Sequence, residues 1–266
     1  MLAGLSPARR RVVLVVIALV LAGAVVLGVV LVQRTSAGEA EPAAQDRLGP
    51  VLLVPGYGGA TGALQTLADR LAASGRDATV VDLPGDGTVD LAAAADVLDA
   101  AATAVLARTG DPAVDVVGYS AGGVVARLWI ADGGADVVRR VVTLGSPHHG
   151  TELAGLAASL APSQCPVACR QLAPGSELLA ALNDGDETPA GPSWVSIWTT
   201  LDRTVTPPDS ARLDGALELP VQSVCADSRV GHGELPRDRL VQQMVLAELA
   251  AGAPVELGPA DCARLS

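Results

Sequence analysis

The sequence predicts an α/β fold: a mainly parallel sheet of about six strands with helices on both faces, preceded by one N-terminal membrane helix. Three observations carry that expectation. From Gly49 onward, short runs rich in β-branched residues alternate with longer Ala/Leu-rich stretches, the rhythm of βαβ units. The strand-like runs are almost continuously apolar, as strands covered on both faces must be. The first 34 residues, finally, hold a long uncharged apolar stretch next to a cluster of arginines. A chain of 266 residues, half of them hydrophobic, has ample material for one buried core.

Val12 to Val32 is an uncharged run of 21 residues behind Arg9-Arg10-Arg11. As a helix it extends roughly 30 Å, about one bilayer core. Basic residues before it and an acidic stretch after it orient the N-terminus to the cytoplasm and the remainder outside. The run is longer than the apolar core of a cleavable secretory signal, about 7 to 15 residues, which favours a signal anchor. Cleavage near Ser36-Ala37 or Glu39-Ala40, releasing a secreted protein, is the alternative. Thr35 to Leu48, rich in Ala, Glu and Gly without apolar periodicity, reads as a flexible linker. The net charge is −11, and −15 once the four arginines of residues 1–34 are set aside, a surface that repels nucleic acid.

The folded domain is expected over residues 49–266. Strands are predicted at Val51 to Val54, Ala78 to Leu83, Val114 to Val117, Val138 to Leu144, Trp194 to Thr199 and Leu219 to Cys225. Helices are predicted at Gly62 to Ser74, Leu91 to Arg108, Ala121 to Ala131 and Arg239 to Ala251. Thr151 to Pro192 breaks the rhythm with prolines, two cysteines and an acidic turn, and reads as an excursion over the active edge of the sheet. Cys165, Cys169, Cys225 and Cys262 lie on the exported side, where thiols oxidise. Of the three pairings open to four cysteines, Cys165 with Cys169 and Cys225 with Cys262 is preferred. The Cys-x3-Cys spacing has no matching second pair or nearby histidine and does not suit zinc.

Gly118-Tyr119-Ser120-Ala121-Gly122 follows one predicted strand and opens a predicted helix, the strand, turn and helix context of G-x-S-x-G. Glycines are needed there because a side chain at so sharp a turn collides with its neighbours. A serine hydroxyl attacks poorly unless a base takes its proton, and the chain holds only His148, His149 and His232. The order serine, acid, histidine selects His232, between two glycines and before the final helix. Asp202, at the end of the penultimate strand, is the preferred acid, with Asp209 and Asp227 as alternatives. The backbone N–H groups of Ala121, after the serine, and Tyr57, in the Gly-rich turn after the first strand, are the candidate oxyanion donors. The absence of lysine removes a Walker phosphate loop.

These residues resemble the small secreted bacterial triacylglycerol lipases, lipase class 2 of the α/β-hydrolase superfamily, over roughly Gly49 to Ala251. Val51-Leu52-Leu53-Val54-Pro55-Gly56-Tyr57-Gly58-Gly59 resembles the oxyanion loop, and Gly118 to Gly123 the nucleophile elbow. Val142 to Thr151, including Ser146-Pro147-His148-His149-Gly150, resembles the pocket-rim loop. Trp198-Thr199-Thr200-Leu201-Asp202 resembles the acid loop and Gly231-His232-Gly233 the histidine loop. Pro55 replaces a histidine found in many relatives. The resemblance implies hydrolysis of acyl glycerols or other carboxylic esters. Larger relatives in related lipase families bind calcium, but no acidic cluster here is placed to match that site, so no metal is expected, nor a cofactor, and the chain is expected to be a monomer. Acyl transfer through the same acyl-enzyme and an inactive binding protein on the same scaffold are the alternatives.

Overall fold

The computed structural model describes residues 43–266, so the predicted membrane helix lies outside the described residues. Six strands form one sheet: β1 (Val51–Val54), β2 (Ala78–Val80), β3 (Val114–Tyr119), β4 (Val138–Leu144), β5 (Ser193–Trp198) and β6 (Leu217–Pro220). Their order is β2-β1-β3-β4-β5-β6, with every neighbouring pair parallel. The main helices are α1 (Gly62–Ala73), α2 (Leu91–Thr109) and α3 (Ala121–Ala131). Three short ones, α4 (Glu152–Leu160), α5 (Val167–Gln171) and α6 (Glu177–Leu182), occupy the excursion. The chain closes with α7 (Val221–Val224), α8 (Arg239–Glu248) and α9 (Cys262–Leu265).

Alternate strand side chains feed two cores. Leu52, Val54, Val114, Val116 and Val141 pack with α2 and α3, while Val51, Leu53, Val117, Val142 and Ile197 pack with α1 and α8. This period-two division on both faces explains why the strands read as unbroken apolar runs. The predicted Ala78 to Leu83 strand stops at Val80. Val81 and Leu83 are buried and supplied the apolar signal, but the chain leaves the sheet edge before Pro84-Gly85. The predicted last strand, Leu219 to Cys225, is a larger correction. It ends at Pro220, and Val221–Val224 forms helix α7. Pro220 has no N–H to donate and its fixed φ suits a helix start, while Val221 and Val224 are buried all the same, so burial imitated a strand.

Both expected disulfides are present, Cys165–Cys169 and Cys225–Cys262. At the N-terminal end of β3 and β4 lies a buried charge cluster. Asp115 accepts from Arg76 at 2.6 Å and from Arg139 at 2.5 and 2.8 Å. Arg139 and Arg140 also donate to carbonyls at the end of α8 and to Gln45. Beside them Glu248 is fully buried, and that burial pushes its carboxyl up to about 7. Among the described residues no helix is long and apolar enough to cross a membrane.

Candidate active site

The C-terminal ends of β3, β4 and β5 converge on one place. Ser120 sits between β3 and α3 with φ 53° and ψ −126°, the one non-glycine with positive φ among the described residues. Such a conformation persists only where the surroundings hold it. Gly118, Gly122 and Gly123 supply the room: a Cβ on Gly122 falls 2.1 Å from the Val54 carbonyl oxygen, and one on Gly118 falls 2.5 Å from the Gly123 Cα. Ser120 N–H donates to Leu144 O at 2.9 Å, so the turn stays tied to β4.

His232 arrives from the loop after α7, and its Nε2 lies 3.1 Å from Ser120 Oγ. Its Nδ1 lies 2.7 Å from Asp202 Oδ2, and both side chains are nearly buried. The second Asp202 oxygen accepts the N–H groups of Thr204 and Val205, each at 2.8 Å. Those bonds fix the orientation of the carboxylate. With Nδ1–H directed at Asp202, Nε2 is left as the acceptor facing the serine hydroxyl. The structure thus brings Ser120, His232 and Asp202 into one hydrogen-bonded line. Asp209 and Asp227 are exposed and take no part in it.

The other two histidines are occupied elsewhere. His148 is fully buried against Thr143 Oγ1, 3.2 Å away, and burial with the Arg127 charge holds its pKa well below the usual 6.5. His149 pairs with Glu187 at 2.9 Å. Of the two candidate oxyanion donors, Ala121 opens α3, where the first N–H groups lack intrahelical partners. Tyr57 follows Gly56, whose missing side chain lets the β1 loop approach: a Cβ there would stand 2.9 Å from Ser120 Cβ.

Several residues carry weight that sequence reasoning did not assign. Gly145, at φ 56°, forms the floor under the Asp202–His232 pair. Tyr119 donates its phenol to His232 O at 3.2 Å, and burial together with the Asp202 charge pushes that phenol up to about 12, so it stays a donor. Thr199 Oγ1 donates to Val230 O at 2.7 Å, and Gln222 bridges to Thr199 and Thr200, lacing the acid loop to the histidine loop. Tyr119, Gly145 and Thr199 lie in the elbow, rim-loop and acid-loop segments legible in the sequence, though without these tasks, and Gln222 lies in none of them. Helix α4 is pinned beside the acid loop by Thr151 Oγ1 to Thr204 O, 2.7 Å, and Glu152 N to Thr206 O, 2.8 Å. It exposes Leu153, Leu156 and Leu160. No group of three or more His, Cys, Asp or Glu among the described residues could hold a metal.

The family model for the alpha/beta hydrolase fold matches residues 49–164. The chain has the α/β-hydrolase fold, in a six-stranded parallel version. Among solved structures it is similar to lipase B of Aspergillus fumigatus, with a TM-score of 0.69 at 22% identity over 79% of this chain and 54% of that one. The chain thus spans about half the length of that lipase. The mature lipase BlEst2 of Bacillus licheniformis matches with a TM-score of 0.55 at 23% identity, over 67% of this chain and 84% of that one. A deformylase of N-formylmaleamic acid from Pseudomonas putida gives 0.50 at 19% identity, over 76% and 91%. Lipases and a deformylase share this architecture, so the fold by itself does not choose the substrate. No curated protein matches the sequence.

Proposed function

We propose that the chain is a serine hydrolase of carboxylic esters, a lipase or esterase of the lipase class 2 kind, acting on acyl glycerols or related esters outside the cytoplasm. The observation that carries this reading is the line from Ser120 Oγ through His232 to Asp202, with steps of 3.1 and 2.7 Å, set at a strained elbow. In the first half-reaction His232 Nε2 takes the Ser120 proton as Oγ bonds to the ester carbonyl carbon. The Tyr57 and Ala121 N–H groups hold the oxyanion. Collapse of the tetrahedral species breaks the bond to the alcohol oxygen, which receives that proton from His232. Water, deprotonated by the same imidazole, then adds to the acyl carbonyl, and collapse of that species breaks the bond to Ser120 Oγ, releasing the carboxylic acid as His232 returns the proton to Oγ. Asp202 keeps the imidazole in its tautomer and stabilises imidazolium throughout.

The exposed leucines of α4 support an apolar acyl substrate, since scattered leucines are ordinary but three on one face of a short helix beside the acid loop form a patch. Two disulfides support an extracytoplasmic site of action, reached through the apolar N-terminal segment. The test is direct. Ser120→Ala is expected to lower turnover of a 4-nitrophenyl ester by about 10⁴-fold or more while circular dichroism is unchanged. A fluorophosphonate probe is expected to label Ser120 in the unaltered chain. Retained turnover in the variant, or a label on another residue, overturns the reading.

A further inference from the structure

An open cleft of about 540 Å³ lies between the acid loop and the histidine loop, bounded by segments 200–204 and 229–234. His232 and Asp202 are among the residues that line it, their side chains 9% and 2% exposed. In the reaction above, His232 hands its proton to the departing alcohol oxygen, so the alcohol portion of the ester must stand within hydrogen-bond reach of that ring. The cleft lies against the residue that carries that ring.

Its charge is unlike that of the molecule. Arg203 comes from one wall and Arg229 from the other, both exposed. Among the described residues neither makes an ion pair, although the chain carries 29 acidic residues. Asp202 is already engaged by His232 and two backbone amides. Glu234, the other carboxylate on these walls, accepts the Gly231 N–H at 3.2 Å. Arg229 also borders a neighbouring depression with Asp227 and Asp238, without pairing to either. Two exposed arginines that line one cleft and make no ion pair suit a carboxylate or phosphate, which a guanidinium binds through forked donors. The surface from Leu153 to Cys169 contrasts with this, holding no charged residue at all.

We infer that this cleft receives the alcohol portion of the substrate and that Arg203 and Arg229 select alcohols bearing an anionic group. The inference rests on the ester hydrolase reading and specifies its leaving-group side. The butyryl esters of 4-hydroxybenzoate and 4-hydroxybenzamide test it, being alike in shape and different in charge. Their kcat/KM values, each normalised to alkaline hydrolysis, are expected to favour the carboxylate by about two- to tenfold at low salt, the worth of two exposed ion pairs. In Arg203→Gln/Arg229→Gln the ratio is expected to fall to about one, with each single variant between. Arg70→Gln, an exposed arginine on α1, is expected to keep the ratio. A parallel comparison of dibutyrylglycerol phosphate with tributyrin separates the sources: preference in that arm assigns a glycerophosphate, and preference in the aryl arm alone a small anionic alcohol. Equal turnover in both arms overturns the inference, as does a preference that survives the double variant or is lost equally in Arg70→Gln. If neither member of any pair is turned over, the hydrolase reading fails and takes this inference with it.

Discussion

Gly145 contributes no functional group, yet a methyl there would stand 2.7 Å from Leu235 Cδ1 and 3.3 Å from both Asp202 Oδ2 and His232 Nδ1. Its φ of 56° adds the backbone cost of a left-handed L-residue, about 1 to 2 kcal/mol. Gly145→Ala is therefore expected to lower stability by roughly that amount and to lower kcat by more than tenfold, because the methyl parts the acid from the imidazole. Urea melts and ester kinetics read the two effects separately, and an unchanged kcat would show that the pair does not rest on this floor. Nothing in the sequence marks Gly145 for this task, since its contacts are 57, 87 and 90 positions away. Ser120, His232 and Asp202 were legible for the opposite reason. Their chemistry confines them to a few residue types in a fixed order, and three histidines leave little choice. Thr199 and Gln222 were not legible, because a hydrogen bond lacing two loops needs only common polar side chains at a distance no pattern records.

Elements that run through the body of the sheet were readable from their apolar period, and elements at its edges were not. β4 is buried over its whole length and has the predicted limits. β2 and β6 are the outer strands, where a chain can stay buried after the ladder ends, and there the apolar signal overran the strand. The packing of α3 on β1 depends on a position without a side chain. A Cβ at Gly122 meets the Val54 and Pro55 carbonyl oxygens at 2.1 and 2.7 Å, so backbone touches backbone. Gly122→Ala must push the helix away from the strand, and the expected cost is about 3 kcal/mol or more. Equilibrium unfolding in urea checks this, and a loss under about 1 kcal/mol would mean that the helix start yields easily.

At the scale of the whole molecule, two buried groups pull the pH profile in opposite directions. The folded pKa of His148 is depressed below 6.5, so the unfolded chain binds the extra proton and stability is lost as pH falls below that value. The folded pKa of Glu248 is raised from 4.5 to about 7, so the folded chain binds the extra proton and stability is lost as pH rises between those values. Over pH 4.5 to 6.5 the two slopes oppose each other. Glu248→Gln is expected to remove one of them, giving a steeper fall on acidification and no decline toward pH 7 from this site. Urea midpoints across that range decide it, and an unchanged slope would refute the assignment. Across the same sheet, Ser120 N–H reaches Leu144 O and Gly145 N–H reaches Ile197 O, both at 2.9 Å, prolonging the ladder past the strand ends. Ser120 and the floor beneath the His232–Asp202 pair are thus the outermost rungs of the sheet, and loosening them piecemeal is not open to this architecture. Under the proposed function, turnover becomes a gauge of whether the scaffold still stands.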